Sequence, residues 1–233
     1  FFTPVIYGSS KVISFYRKQM KADQFSFITL NDDHPAHRKI NVCNCWDEMI
    51  PIDVGQITEA GGTASYKALE KSVKHLKEGV IDALVTGPIN KDNIQQEKFT
   101  FAGHTEYFAA RFETRDSLMF MVSDTLRIGV VTGHLPLKDV ASTITTELLT
   151  HKLEIMEASL RNDFNIEKPK IAVLGLNPHA GENGLLGTEE DEIISPVIKS
   201  IKQRGVLMAG PFPADGFFGK GDYRKISRYH QMA

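Results

Sequence analysis

Residues 171–187 read IAVLGLNPHAGENGLLG, and this stretch decides the fold class. An apolar run with β-branched residues opens it, the basic Lys168-Pro169-Lys170 precedes it, and a Gly/Asn/Pro cluster cuts it off. The pattern predicts a short buried strand that stops abruptly and delivers His179 at its end. In an open α/β sheet, ligands bind in the crevice beyond the carboxyl ends of the strands, so a histidine there carries more weight than one elsewhere. LRIGVVTGHLPL, residues 126–137, repeats the arrangement and presents His134. Two imidazoles at strand ends point to a metal or a proton-transfer site.

Working outward, residues 3–8 read as a strand followed by an amphipathic helix, SSKVISFYRKQM, with Val12, Ile13, Tyr16 and Met20 facing inward. A second helix runs over 61–77, with Ala64, Ala68, Leu69, Val73 and Leu76 as its stripe and Gly79 ending it. VIDALVTG, residues 80–87, follows as a buried strand. Strands over 117–123 and 126–132, joined by Asp124-Thr125, are close enough for an antiparallel hairpin. A helix over 146–160 leads to the organising strand. Ser195-Pro196 opens another helix, closed by Gly205, and VLMAGP at 206–211 is a further short strand. Strands alternating with helices around one hairpin predict an α/β fold with a mixed, largely parallel sheet.

With 42% hydrophobic and 24% charged residues, the 233-residue chain has enough apolar surface for one or two cores. The net charge of −2 gives no global basic field, so neither nucleic acid nor an anionic membrane is an expected partner, and an anionic ligand must be captured locally. No apolar run approaches the roughly 18 residues of a membrane span, and the opening FFTPVIYGSS has no basic leader pattern. The expected location is the cytoplasm. Cys43 and Cys45 are too few and too close to staple a secreted fold and read as two reduced strand residues.

Further candidate residues lie where strands are expected to end. Lys91, in VTGPINK, is either a point charge for a phosphate or carboxylate or a solvated lysine in a surface turn. Gly103-His104-Thr105 stands before an amphipathic helix. Thr105 and the first free N–H groups either hold an anion, with His104 as donor, or form an ordinary cap. Asp215, in GPFPAD, is a base, a carboxylate behind a metal ligand, or a turn residue. His230 is the available third imidazole, while His34, His37, His75 and His151 read as surface residues. Neither a Gly-x-Gly-x-x-Gly fingerprint nor a Walker lysine motif is present.

Taken together, ALVTGPINK at 83–91, GHTEYFA at 103–109, VTGHLPLKD at 131–139, GLNPHAGENG at 175–184 and GPFPAD at 210–215 resemble the 4-hydroxythreonine-4-phosphate dehydrogenase (PdxA) family. The resemblance covers most of the chain, in the family's order. It implies a two-domain isocitrate/isopropylmalate-dehydrogenase-like fold and a homodimer with the active site at the subunit interface. The chain then reads as an incomplete part of such an enzyme, 1–105 with the missing C-terminal part forming one domain and 106–233 the other. The resemblance further implies NAD and a divalent metal (zinc, cobalt, nickel, magnesium or manganese) as cofactors. His134, His179 and His230 become the metal ligands, His104 and Thr105 the substrate-binding pair, and Asp215 and Lys91 the catalytic residues. The implied reaction is oxidation and decarboxylation of 4-phosphohydroxy-L-threonine on the way to pyridoxal 5'-phosphate. Phosphorylated D-threonate and D-erythronate are alternative substrates. RKISRYHQMA departs from the family, lacking the aspartate that follows its third histidine and the strand that precedes it. The family's Lys, Asn and Arg for substrate, and much of its dinucleotide site, fall beyond this point, and turnover is expected to need them. A metal-dependent hydrolase and a non-catalytic phosphate-binding domain are the readings from other classes.

Overall fold

Residues 2–30, 34–94, 99–114 and 117–227 are described from a computed structural model. The chain divides into two compact units, Phe1–Thr114 and Arg115–Ala233. In the first, β1 (Val5–Gly8), α1 (Ser10–Gln19), β2 (Ile28–Thr29) and β3 (Asn41–Asn44) come in succession, and the strands form a parallel sheet in the order β1-β3-β2. The central strand is inaccessible at Asn41, Val42 and Cys43. Asn41 stays satisfied there, donating to the Pro4, Ala36 and Lys39 carbonyls and accepting from the Ala36 amide, which is how a buried amide avoids a desolvation cost. Cys43 and Cys45 are free thiols. Of the stripe expected on α1, Val12 and Ile13 are half-buried, whereas Tyr16 and Met20 are exposed.

α2 (Glu59–Lys77) starts where the Thr58 hydroxyl accepts from the Gly61 amide at 3.1 Å. Leu69 and Val73 from its stripe pack with Ile94 of α3 (Lys91–Ile94), Phe99 and Tyr107 of α4 (His104–Arg111). Burying each such side chain contributes about 1.5–3 kcal/mol. The strand expected at 80–87 does not form. The segment is extended and unpaired among the described residues, and Val85 is 94% exposed. A strand exists only against a partner edge, and neither β1 nor β2, the outer strands of the sheet, pairs with this segment.

The second unit opens with the expected hairpin, β4 (Met119–Val122) against β5 (Arg127–Val130), antiparallel. After a short α5 (Val140–Thr143), α6 (Thr146–Asn162) is capped by the Thr145 hydroxyl accepting from the Leu148 amide. β6 (Lys170–Leu174) follows, then α7 (Ser195–Gln203), and β7 (Leu207–Phe212) pairs parallel to β6. α8 (Ala214–Gly219) and α9 (Tyr223–Ser227) complete it. Ile171 and Val173 alternate into a core with Leu149, Leu153 and Leu160 of α6 and Val197, Ile198 and Ile201 of α7. A mostly apolar cavity of about 290 Å³ lies between β5 and β6. Residues Lys170 to Leu174 line it without alternation, so the edge of β6 opposite β7 looks into it. The α/β architecture is thus the expected one, with the parallel pairing divided between two sheets and the hairpin forming a third.

Candidate active site

β6 is buried on alternate residues and ends at Leu174, and the Gly175 amide carries the ladder one step further by donating to the Phe212 carbonyl at 2.9 Å. The chain then turns sharply. From His179 to Gly184 every residue has positive φ: 53° at His179, 54° at Ala180, 80° at Gly181, 46° at Glu182, 57° at Asn183 and 86° at Gly184. For the four non-glycine residues this conformation costs roughly 1–2 kcal/mol each, so surrounding contacts must hold it. The Leu186 and Gly184 amides both donate to the Gly181 carbonyl at 3.0 Å and close the turn.

The turn presents the His179 imidazole to solvent, with Nδ1 3.9 Å from Oδ2 of Asp215 in the first turn of α8. Both side chains are mostly exposed, so the pair contributes little stability. At 3.9 Å the pair makes no hydrogen bond; it sets a carboxylate beside the imidazole without fixing the ring's tautomer.

Beneath the same turn lies Glu190, which is 2% exposed. Its carboxylate accepts from the Asn177 amide at 2.7 Å and from Asn177 Nδ2 at 2.9 Å. Burial pushes its pKa up, but the hydrogen bonds from the Asn177 side chain and backbone outweigh this and hold it below the ordinary glutamate value.

His134 follows β5 in the exposed loop where the Leu135 amide donates to the Gly133 carbonyl. His230 lies outside the described residues. Among the described residues no three His, Cys, Asp or Glu side chains converge to hold a metal ion. Exposed imidazoles, one of them backed by a carboxylate, nevertheless suit the donor chemistry of a divalent ion.

In the first unit, Lys91 is exposed at the start of α3, where the Asn90 side chain accepts from the Asp92 and Asn93 amides. Lys91 therefore follows an extended exposed segment and not the end of a buried strand. His104 is the first residue of α4, with Gly103 at the cap position, so His104 and Thr105 belong to the helix and do not precede it. Thr105 is exposed. The His104 ring stacks on Phe108 with centroids 5.9 Å apart. Its Nε2 is buried with no hydrogen-bond partner among the described residues. Burial lowers its pKa and favours the neutral imidazole, which carries one donor and one acceptor.

Two features were not expected from the sequence. His75 is fully buried, its Nδ1 2.9 Å from the Tyr7 hydroxyl, and is no surface residue. Glu70 accepts from both the Tyr107 hydroxyl and the Arg111 guanidinium, tying α2 to α4. Burial, then the Glu70 carboxylate, raises the Tyr107 pKa. The (i, i+4) spacing of Tyr107 and Arg111 was the available sign that both point one way.

Residues 1–232 match the family described as pyridoxal phosphate biosynthetic protein PdxA. The chain is 42% identical over 235 residues to a 4-hydroxythreonine-4-phosphate dehydrogenase of Bacteroides thetaiotaomicron, an alignment covering 99% of this chain and 65% of that one. It is 35% identical over 228 residues to the protein of that name from Sulfurihydrogenibium sp., covering 98% and 70%. The X-ray structure of a 4-hydroxythreonine-4-phosphate dehydrogenase from Burkholderia phymatum matches with a TM-score of 0.77 and 30% identity, over 97% of this chain and 68% of that one. The chain thus spans about two thirds of the length of these relatives.

Proposed function

The chain belongs to the pyridoxal phosphate biosynthetic protein PdxA family, and from that premise we propose that the protein oxidises and decarboxylates 4-phosphohydroxy-L-threonine with NAD and a divalent metal. The product is 3-amino-2-oxopropyl phosphate, on the way to pyridoxal 5'-phosphate. The observation that carries this reading is His179, set beyond the carboxyl end of β6 in a left-handed turn, with the Asp215 carboxylate 3.9 Å from its Nδ1. Phosphorylated D-threonate and D-erythronate are the neighbouring substrates of the same chemistry. A homodimer with an interfacial active site and a cytoplasmic location belong to the same proposal; among the described residues no helix is long and apolar enough to cross a membrane.

Oxidation removes a hydride from the hydroxyl-bearing carbon and a proton from its oxygen. NAD accepts the hydride, and Asp215 is the base we assign to the proton. The β-keto acid then breaks its bond to the carboxylate. CO2 leaves, the electron pair stays on the α-carbon, and a proton returns there. A divalent ion, when bound, supplies Lewis-acid polarisation of the reacting oxygen. His134 and His179 are the imidazoles that would hold it, with His230 the proposed third. In the first unit, Lys91 is the assigned cation for a phosphate or carboxylate. Thr105 presents its hydroxyl to the phosphate, and neutral His104 hydrogen-bonds the substrate.

Two variants test these roles. In His179→Ala, bound metal and turnover fall together while the circular dichroism spectrum is retained, because an exposed loop residue carries little core packing. Unchanged metal content would remove His179 from the site. In His104→Ala the Michaelis constant rises with little change in bound metal; metal loss at constant substrate affinity would contradict its role.

A further inference from the structure

We propose that Glu190 is the positioning residue of the His179 turn, fixing the imidazole without touching it. The inference rests on the reading of His179 as a ligand-facing group. Six successive residues with positive φ do not persist unaided, and the group they wrap is this carboxylate. A Cβ added to Gly181 would lie 2.7 Å from Glu190 Oε2, and one added to Gly175 would lie 3.1 Å from Oε1, so the turn closes directly on it. The Asn177 amide donates to Oε1 and the Asn177 side chain to Oε2, so both oxygens are held from the turn.

A buried carboxylate usually meets a cation. Among the described residues the Glu190 carboxylate is instead hydrogen-bonded by the amide and side chain of Asn177, in the segment that delivers His179. Acceptor-only chemistry suits that ring of donors, whereas a glutamine would turn its own N–H2 toward a donor. Support comes from below. Glu190 begins the one wide turn, Glu190–Ile194, that runs into α7, and α7 is anchored in the core by Val197, Ile198 and Ile201. The packed helix therefore fixes the carboxylate, the carboxylate fixes the turn, and the turn fixes the imidazole.

The test compares wild type, Glu190→Gln, His179→Ala and the exposed control Glu192→Gln by amide hydrogen exchange and by Co2+ titration. The expected result for Glu190→Gln is exchange at least about tenfold faster in residues 177–184 with β6 and α7 unchanged. Co2+ affinity should fall by about 10–100-fold, as for loss of groups behind a metal ligand. Glu192→Gln should match wild type. Unchanged exchange in the turn overturns the proposal. So does Co2+ affinity that falls in His179→Ala but not in Glu190→Gln. Faster exchange in Glu190→Gln, with Co2+ affinity unchanged in both variants, upholds the positioning role and instead refutes metal binding by His179. If Glu190→Gln does not fold, Asn177→Ala, which removes the Nδ2 donor without adding a charge beside Glu189 and Glu190, carries the same expectations and the same refutation.

Discussion

Replacing Gly62 by alanine sets helix propensity against packing, and the two predict opposite signs. Gly62 lies inside α2, where alanine is favoured over glycine by about 1 kcal/mol. A Cβ at this position, however, would sit 1.9 Å from the Asn93 carbonyl oxygen and 2.5 Å from its carbon. Carbon–oxygen contacts normally lie near 3.3–3.6 Å, so α3 must retreat by about 1.5 Å. The obstacle is backbone, which no rotamer change relieves. The retreat also pulls on the Asn93 Nδ2 bond to the Thr58 carbonyl and on Ile94, which is 1% exposed in the Leu69/Val73/Phe99 core. Overpacking of this kind costs about 1–3 kcal/mol beyond any propensity gain. At roughly 2–4 °C per kcal/mol, Gly62→Ala should lower the melting temperature by about 2–12 °C in a circular-dichroism melt. Gly216→Ala in α8, where the added Cβ meets nothing nearer than 3.9 Å, should leave it unchanged or raise it. Equal stabilisation by both substitutions would show that α2 and α3 are not in this contact. Because α3 begins at Lys91, weaker phosphate-ligand binding should accompany the Gly62→Ala loss.

Other expectations are narrower. Glu190 has a folded pKa below its unfolded value, so its contribution is fully present above about pH 4.3 and is lost as pH falls through the folded value. The stability gap between wild type and Glu190→Gln should therefore shrink below that pH, and a gap that widens on acidification would contradict the account. Glu70→Ala leaves the buried Tyr107 hydroxyl and Arg111 without their shared acceptor. It should cost about 1–2 kcal/mol by urea unfolding, the lower part of the usual range because Glu70 is 35% exposed; a neutral result would dismiss the network. His104, held neutral by burial, should keep ligand affinity constant from pH 8 to about pH 6.5, and a rise in affinity at pH 6.5 would mean the imidazolium binds.

Much of this was legible in the sequence because the signals were local. The apolar, β-branched run that opens at Ile171, the helical spacing of Leu149, Leu153, Met156 and Leu160 and the short Asp124-Thr125 link between β4 and β5 each fix an element from a few neighbouring residues. The motif series likewise pointed to the family. What escaped depends on partners distant in sequence. VIDALVTG has strand composition, but no described strand pairs with it. The stripe of α1 is apolar, yet Tyr16 and Met20 at its far end stay exposed. His75 is charged-class by type and buried because Tyr7, 68 residues earlier, offers a hydroxyl. Glu190 lies in an acidic run, EEDE, whose composition singles out none of its carboxylates; only the turn above it reveals that one of them points inward. His104 shows the same limit, since a helix beginning at Gly103 and one beginning after Thr105 share one sequence pattern.

The measurement that tests the account most directly is NADH formation by the purified protein with 4-phosphohydroxy-L-threonine, NAD and a divalent metal, with released CO2 followed in parallel. The account predicts NADH and CO2 in equal amounts, both abolished by chelation and by His179→Ala. Release of inorganic phosphate without NADH, or turnover that survives chelation, would contradict it and turn the same histidines toward hydrolysis or simple binding.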